Sequence, residues 1–142
     1  AFKMGSFEVF PFKTNHKSYG EKEVALNYIL TDKEGKALLY ACDTGVYSEE
    51  TLKLIAGVHL DFIIMECTFG SQRLKEGSGH LDVYHFIEML NKLSKYNIIN
   101  ENTKIYSTHL NHKHTFNHDD LQAYFNENSP YPVTVAWDGL RI

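Results

Sequence analysis

Cysteine is scarce in this chain: Cys42 and Cys67 are the only two. Neither has metal-type spacing nor belongs to a disulfide framework, so both are expected as buried thiols. Cationic charge is not in excess either. Lys and Arg number 14 against 18 Asp and Glu, a net charge of −4, which gives no electrostatic case for tight nucleic-acid binding. No apolar run is long enough to cross a bilayer, and the first residues lack the charged-then-apolar pattern of a secretory leader. A cytoplasmic location without membrane contact is the resulting expectation. Pro- or Ser-rich linkers, internal repeats and low-complexity tracts are missing too. With 43% hydrophobic and 23% charged residues, the 142-residue chain has the composition of one folded domain rather than a disordered segment.

Histidine, in contrast, is abundant. Of the eight, His109, His112, His114 and His118 crowd into residues 109–118. Such density alone can bind metal adventitiously. The informative positions are far apart: His16, His80 and His109, disposed along the sequence around Asp43. Asp43 ends the apolar run Leu39-Tyr40-Ala41-Cys42 and enters the turn Thr44-Gly45. A carboxylate at the end of a buried strand can bridge two cations, and imidazoles are the commonest partners of such ions.

The chain alternates strands and helices. Ala1–Met4 enters a strand almost at once, and Phe7–Phe12 and Val24–Leu30 read as strands. Asp32-Lys33-Glu34-Gly35-Lys36 makes a hairpin turn into Ala37–Cys42. Ser48 caps a short helix that has acidic residues in its first turn. Asp61–Glu66 has the continuous apolar character of a strand buried on both faces. Leu81, Tyr84, Phe86, Ile87, Leu90 and Leu93 form a helical stripe. Lys104–Thr108 is a strand, a helix begins near Asn117 or His118, and Val133–Trp137 is a late strand turned by Asp138-Gly139. This is an α/β layout.

The order His16, then Asp43-Thr44-Gly45, then Gly79-His80-Leu81, then Thr108-His109-Leu110-Asn111-His112 resembles the second half of a metallo-β-lactamase-fold hydrolase. Glu66-Cys67-Thr68-Phe69 paired with Gly79-His80 is most similar to its phosphodiesterase branch, which includes cyclic-phosphate phosphodiesterases and tRNA 3′-processing endonucleases. The ending Ala136-Trp137-Asp138-Gly139-Leu140 resembles the C-terminus of that family. The family's His-x-His-x-Asp-His motif occurs nowhere in the chain.

The resemblance implies the C-terminal half of an αβ/βα sandwich, a mixed sheet with helices on one face, with residues 1–142 forming a single partial domain. It implies His16 as a ligand of a first metal, His109 of a second, and Asp43 bridging both. His80 would be the general acid or base, Glu66 the carboxylate that orients it, and His112 a substrate contact that competes with His109 for the ligand role. Taken singly, each has an ordinary alternative: a loop histidine, a turn-capping Asp, a strand-end Glu, a cap neighbour. His114 and His118 are expected to face solvent or to cap, and His59 and His85 receive no role.

The implied activity is phosphodiester hydrolysis by a hydroxide activated on two divalent ions, zinc or manganese. The acidic net charge favours a small substrate, a cyclic nucleotide or sugar phosphate, over nucleic acid. Rival expectations are a catalytically incompetent module of the fold used for binding or assembly, and a lactone or thioester hydrolase. A catalytic zinc takes three protein ligands, whereas this chain offers two to each ion. The chain alone is therefore expected to hold metal poorly and to be inactive. A half-sandwich would also expose an apolar face and self-associate, or pair with the missing N-terminal half.

Overall fold

Seven strands form one sheet in the order of the sequence, as seen in a computed structural model that describes residues 1–16, 23–113 and 116–142. The first four strands are antiparallel: β1 (Phe2–Met4), β2 (Phe7–Lys13), β3 (Leu26–Thr31) and β4 (Ala37–Ala41). Local chemistry sets the turns. The Asp32 carboxylate accepts from the backbone N–H groups of Glu34 and Lys36, each at 2.9 Å, and closes the β3–β4 hairpin. Pro11 is tolerated within β2 because β1 reaches only to Val9, so at Pro11 the strand has β3 as its neighbour on one side and no ladder to break on the other.

From β4 onward the pairing is parallel. Helix α1 (Glu49–Ile55) leads to β5 (Phe62–Glu66), α2 (Val83–Lys95) to β6 (Lys104–Thr108), and α3 (His118–Asn128) to β7 (Val133–Val135). Each helix start is capped by a side chain: Ser48, Asp82 and Asn117 accept from Thr51, His85 and Asp120, the last as a capping box. Right-handed crossovers that add strands always on the same side put their helices on one face of a sheet. The core lies on that face. Leu39, Ile63, Met65, Ile105, Val133 and Val135 are buried there with Leu52, Phe86, Leu90 and Phe125.

The opposite face carries Phe2, Met4, Tyr28, Leu30, Leu38 and Tyr40 around an open depression of about 310 Å³. Phe2, Met4 and Tyr40 are 52%, 54% and 44% exposed. This corrects one sequence expectation. β5 is not buried on both faces, because Phe62 and Ile64 alternate with the buried Ile63 and Met65 and are only half-buried. Tyr84 likewise leaves the expected helical stripe: it is exposed, with Arg73 over its ring at 4.3 Å. No described helix is long and apolar enough to cross a membrane.

Candidate functional site

Parallel strands all present their C-terminal ends on one edge, where α/β proteins concentrate chemistry. Here that edge carries Asp43 after β4, Glu66 at the end of β5 and His109 after β6. Asp43 and His109 both have left-handed backbone, φ 54° and 57°. Non-glycine residues hold that conformation only where their surroundings fix it, and they cluster at functional positions. Asp43, Glu66, His80 and His109 each place one potential ligand atom within 4.8 Å of the others.

Within this group Glu66 is the organiser. Its carboxylate is fully buried. Oε1 accepts from Thr44 N–H at 2.7 Å and His80 Nδ1 at 2.9 Å. Oε2 accepts from the Thr68 hydroxyl at 2.5 Å, Leu81 N–H at 3.1 Å and Thr68 N–H at 3.4 Å, and shares the His80 Nδ1 proton at 3.1 Å. Both oxygens are occupied by donors, so Glu66 is spent on protein contacts and has no lone pair left for an ion.

These contacts assign the tautomers of three histidines. A carboxylate surrounded by donors accepts only, so His80 carries its proton on Nδ1 and leaves Nε2 free. The Thr68 hydroxyl has one proton and gives it to Glu66; it must therefore accept from His109 Nδ1, 2.8 Å away, which frees Nε2 of His109. That Nε2 lies 3.7 Å from Asp43 Oδ1. His16 Nδ1 donates to the Gly79 carbonyl at 3.0 Å, which frees its Nε2 as well. Imidazoles whose Nδ1–H is tied to an acceptor, with Nε2 open, are the usual form of metal-binding and proton-shuttling histidine.

His16 is half-buried and stands beside the cluster, its ring centroid 4.5 Å from that of His80. The wall behind it is tight. Gly45 N–H donates to Asn15 Oδ1 at 2.7 Å, and a Cβ on Gly45 would lie 1.9 Å from the Ser78 carbonyl. Thr14 Oγ1 reaches the Asp43 carbonyl at 3.1 Å, so the loop carrying His16 is stitched to the loop carrying the carboxylate.

The structure thus brings His16, Asp43, Glu66, His80 and His109 together. His112 is not in the cluster; it is exposed and lines a neighbouring cavity with His109 and Trp137. His80 does not open α2 but sits before its Asp82 cap. His118 is the exposed first residue of α3 and donates from Nε2 to the Val135 carbonyl at 3.0 Å. His114 lies outside the described residues. His59 is exposed; His85 is buried, with Nδ1 3.0 Å from Asp82 Oδ1.

Sequence reasoning gave no role to Thr68, the link between Glu66 and His109, or to Asn15 and Gly45. A single hydroxyl or amide has no periodic signature. Both thiols are unpaired. Burial, followed by the nearby Glu66 charge, pushes the Cys67 thiol far above its ordinary range, and burial also raises Cys42.

The donor set fits divalent metal. The free Nε2 atoms of His80 and His109 and the half-exposed Asp43 carboxylate lie within reach of one another, and His16 beside them offers a further free Nε2; each is backed by a hydrogen bond to its ring or its main chain.

A family model described as Beta-lactamase superfamily domain matches residues 1–110. No curated protein matches the chain. Among solved structures, the chain is similar to the metallo-beta-lactamase fold protein YhfI from Bacillus subtilis, with a TM-score of 0.70 and 19% identity over 98% of this chain and 49% of that one. An isothiocyanate hydrolase from Delia radicum gut bacteria gives 0.68 and 14% over 99% and 55%. Zn²⁺-bound PqqB from Methylobacterium extorquens gives 0.61 and 14% over 96% and 50%. The chain spans about half the length of each. At these identities the likeness is one of fold.

Proposed function

The chain belongs to the family of beta-lactamase superfamily domains, and from that premise we propose that it forms the C-terminal part of a metal-dependent phosphodiesterase acting on a small substrate such as a cyclic nucleotide or sugar phosphate. The observation that carries the reading is the buried Glu66 carboxylate bound to His80 Nδ1. It holds His80 so that protons are exchanged only at Nε2. An alkoxide leaving from phosphorus is poor and needs a proton, which is the job of a histidine oriented in this way.

His16 and His109 would ligate one ion each and Asp43 both; zinc or manganese suits imidazole with carboxylate. Such ions supply Lewis-acid activation of water and of the phosphoryl oxygens. The protein's own part is to fix the ligands and move the proton. Thr68 keeps His109 in the ligating tautomer, the Gly79 carbonyl does the same for His16, and Glu66 offsets the charge on His80 while a second proton resides on Nε2.

With two ligands per ion from this chain, firm metal binding calls for a further layer. The open apolar face supports that reading, since Phe2, Met4 and Tyr40 would be covered by a second copy or by an N-terminal half-domain. The same face also favours a second reading, an assembly module without turnover.

Metal content by mass spectrometry, paired with hydrolysis of bis-p-nitrophenyl phosphate, separates the two. Asp43→Ala should lose metal and turnover together, whereas His80→Ala should keep the metal and lose turnover. If His80→Ala strips the metal while His109→Ala retains it, the roles proposed for these residues are reversed. A protein that holds no metal, alone or with its covering layer, is the assembly module.

A further inference from the structure

Beyond His109 the site edge continues to Trp137, a position the proposed chemistry does not use. The strand ladder reaches past β7, with Ala136 N–H donating to the Ser107 carbonyl at 2.8 Å. The next residue is Trp137, and Leu140 N–H closes the following turn onto its carbonyl at 3.0 Å. Gly139, at φ 94°, makes that turn affordable. The backbone of Trp137 is therefore held on both sides. Its side chain is 55% exposed, yet its ring is steadied by the edge of His118, 6.2 Å away at 80°. His118 is itself pinned to the Val135 carbonyl. A large apolar ring fixed in place and left open to solvent is surface poised for a ligand.

Trp137 and His109 line one cavity of about 390 Å³ together with Leu110, His112 and Asp138. Ligand pockets start at about 300 Å³, so the space suits one small organic group and not a polymer. Its chemistry selects that group. Among the described residues no Lys or Arg lines it, which speaks against a second phosphate site. The walls offer an indole, two imidazoles and an aliphatic side chain to a flat apolar surface. Asp138 offers a carboxylate to N–H or O–H donors at the edge. A planar heteroaromatic ring with N–H donors at its edge, such as a nucleobase, satisfies both.

We propose that this cavity binds the nucleoside portion of the substrate, the base stacked on Trp137 and the phosphate directed to His109 and Asp43. The assignment rests on the phosphodiester reading of the site and narrows its substrate class from phosphodiesters in general to nucleotides. Stacking on an aromatic side chain tolerates every base, so the pocket distinguishes nucleotides from sugar phosphates rather than one base from another.

Trp137 is the single tryptophan of the chain, and its fluorescence reports the pocket directly. Titration with 5′-AMP should quench it saturably, while ribose 5-phosphate, with the same phosphate and sugar, should leave it nearly unchanged. By calorimetry, Trp137→Leu should weaken 5′-AMP binding on the order of 10- to 100-fold and leave ribose 5-phosphate unaffected. Trp137→Tyr should recover most of the loss. Because the side chain is exposed, both variants should fold, which circular dichroism checks. Equal binding of the two ligands, or 5′-AMP affinity unchanged in Trp137→Leu, overturns the pocket. The phosphodiesterase reading fails separately. If methyl p-nitrophenyl phosphate is hydrolysed but 5′-AMP ignores Trp137, the pocket is wrong and the enzyme stands; if 5′-AMP stacks but no phosphodiester is cleaved, the reverse holds.

Discussion

Replacing Glu66 with Gln keeps the shape of the side chain and exchanges one acceptor oxygen for an NH₂ donor. The carboxamide has two ways to sit. With its oxygen in the Oε1 position, the NH₂ would face the Thr68 and Leu81 N–H groups, which cannot turn away. The better choice keeps the oxygen at Oε2, where Thr68 and Leu81 donate, and points the NH₂ at Thr44 N–H and His80 Nδ1. His80 can adapt by moving its proton from Nδ1 to Nε2. The Thr44 N–H cannot, and Thr44 is fully buried. An orphaned buried donor costs about 1–3 kcal/mol, and the bonds that remain lose their charge assistance, roughly 1 kcal/mol each. Glu66→Gln should therefore destabilise the fold by about 3 kcal/mol in urea titration. The displaced tautomer removes the Nε2 lone pair, and in the proposed phosphodiesterase the loss of an oriented acid–base group should lower turnover on the order of 10²- to 10⁴-fold. Nitrogen-15 spectra of the imidazole would show the proton on Nε2 of His80 in the variant and on Nδ1 in the parent. A variant within about 0.5 kcal/mol of the parent, or His80 keeping its Nδ1 proton, would refute the reasoning.

Three further outcomes can be checked. At position 109, where φ is 57°, Gly should be more stable than Ala by about 0.5–1 kcal/mol, since relief of left-handed strain outweighs the extra freedom of the unfolded chain; the ordinary order, Ala above Gly, contradicts this. Gly45→Ala drives a Cβ to 1.9 Å from the Ser78 carbonyl and 2.8 Å from Asn15 Nδ2. It should cost about 3 kcal/mol and weaken metal binding, because the displaced loop carries the Gly79 carbonyl that holds His16; unchanged metal affinity would separate the two loops. Burial raises the Cys42, Cys67 and Tyr47 pKa values in the fold above their ordinary 9.0, 9.0 and 10.0. Groups raised in this way contribute stability that is intact below the unfolded values and lost as pH climbs through them. Tm should hold through pH 8 and fall between pH 9 and 11, and a flat profile over that window would show that these groups ionise freely in the folded protein.

Much of the architecture was legible because it is written in short-range chemistry. Asp32 closes a hairpin, Ser48 and Asn117 cap helices, and these residues act within four positions of themselves. Asp43, His80 and His109 stood out because their residue types are unusual at strand ends and after glycine. What stayed hidden depends on residues remote in sequence. Whether Phe62 and Ile64 are covered depends on what lies across the sheet, and an apolar run looks the same when one face is open. Thr68, bound to Glu66, reaches His109 across 41 positions, and nothing in the local sequence distinguishes such a threonine from any other. Tyr84 has the right spacing for the core, but Arg73 and Tyr124 hold it at the surface.

The strand order β1 to β7 simply follows the chain. No strand has to wait for a later one to fill a gap beside it, so a nascent polypeptide leaving the ribosome can lay each strand on its predecessor as it emerges. Such vectorial growth avoids the long loop closures that slow β-rich proteins. The candidate ligands arrive on the same schedule, His16 first, Asp43 next and His109 last. The candidate ligand set is therefore completed late: this chain's share of it is assembled only when the sheet has reached its sixth strand.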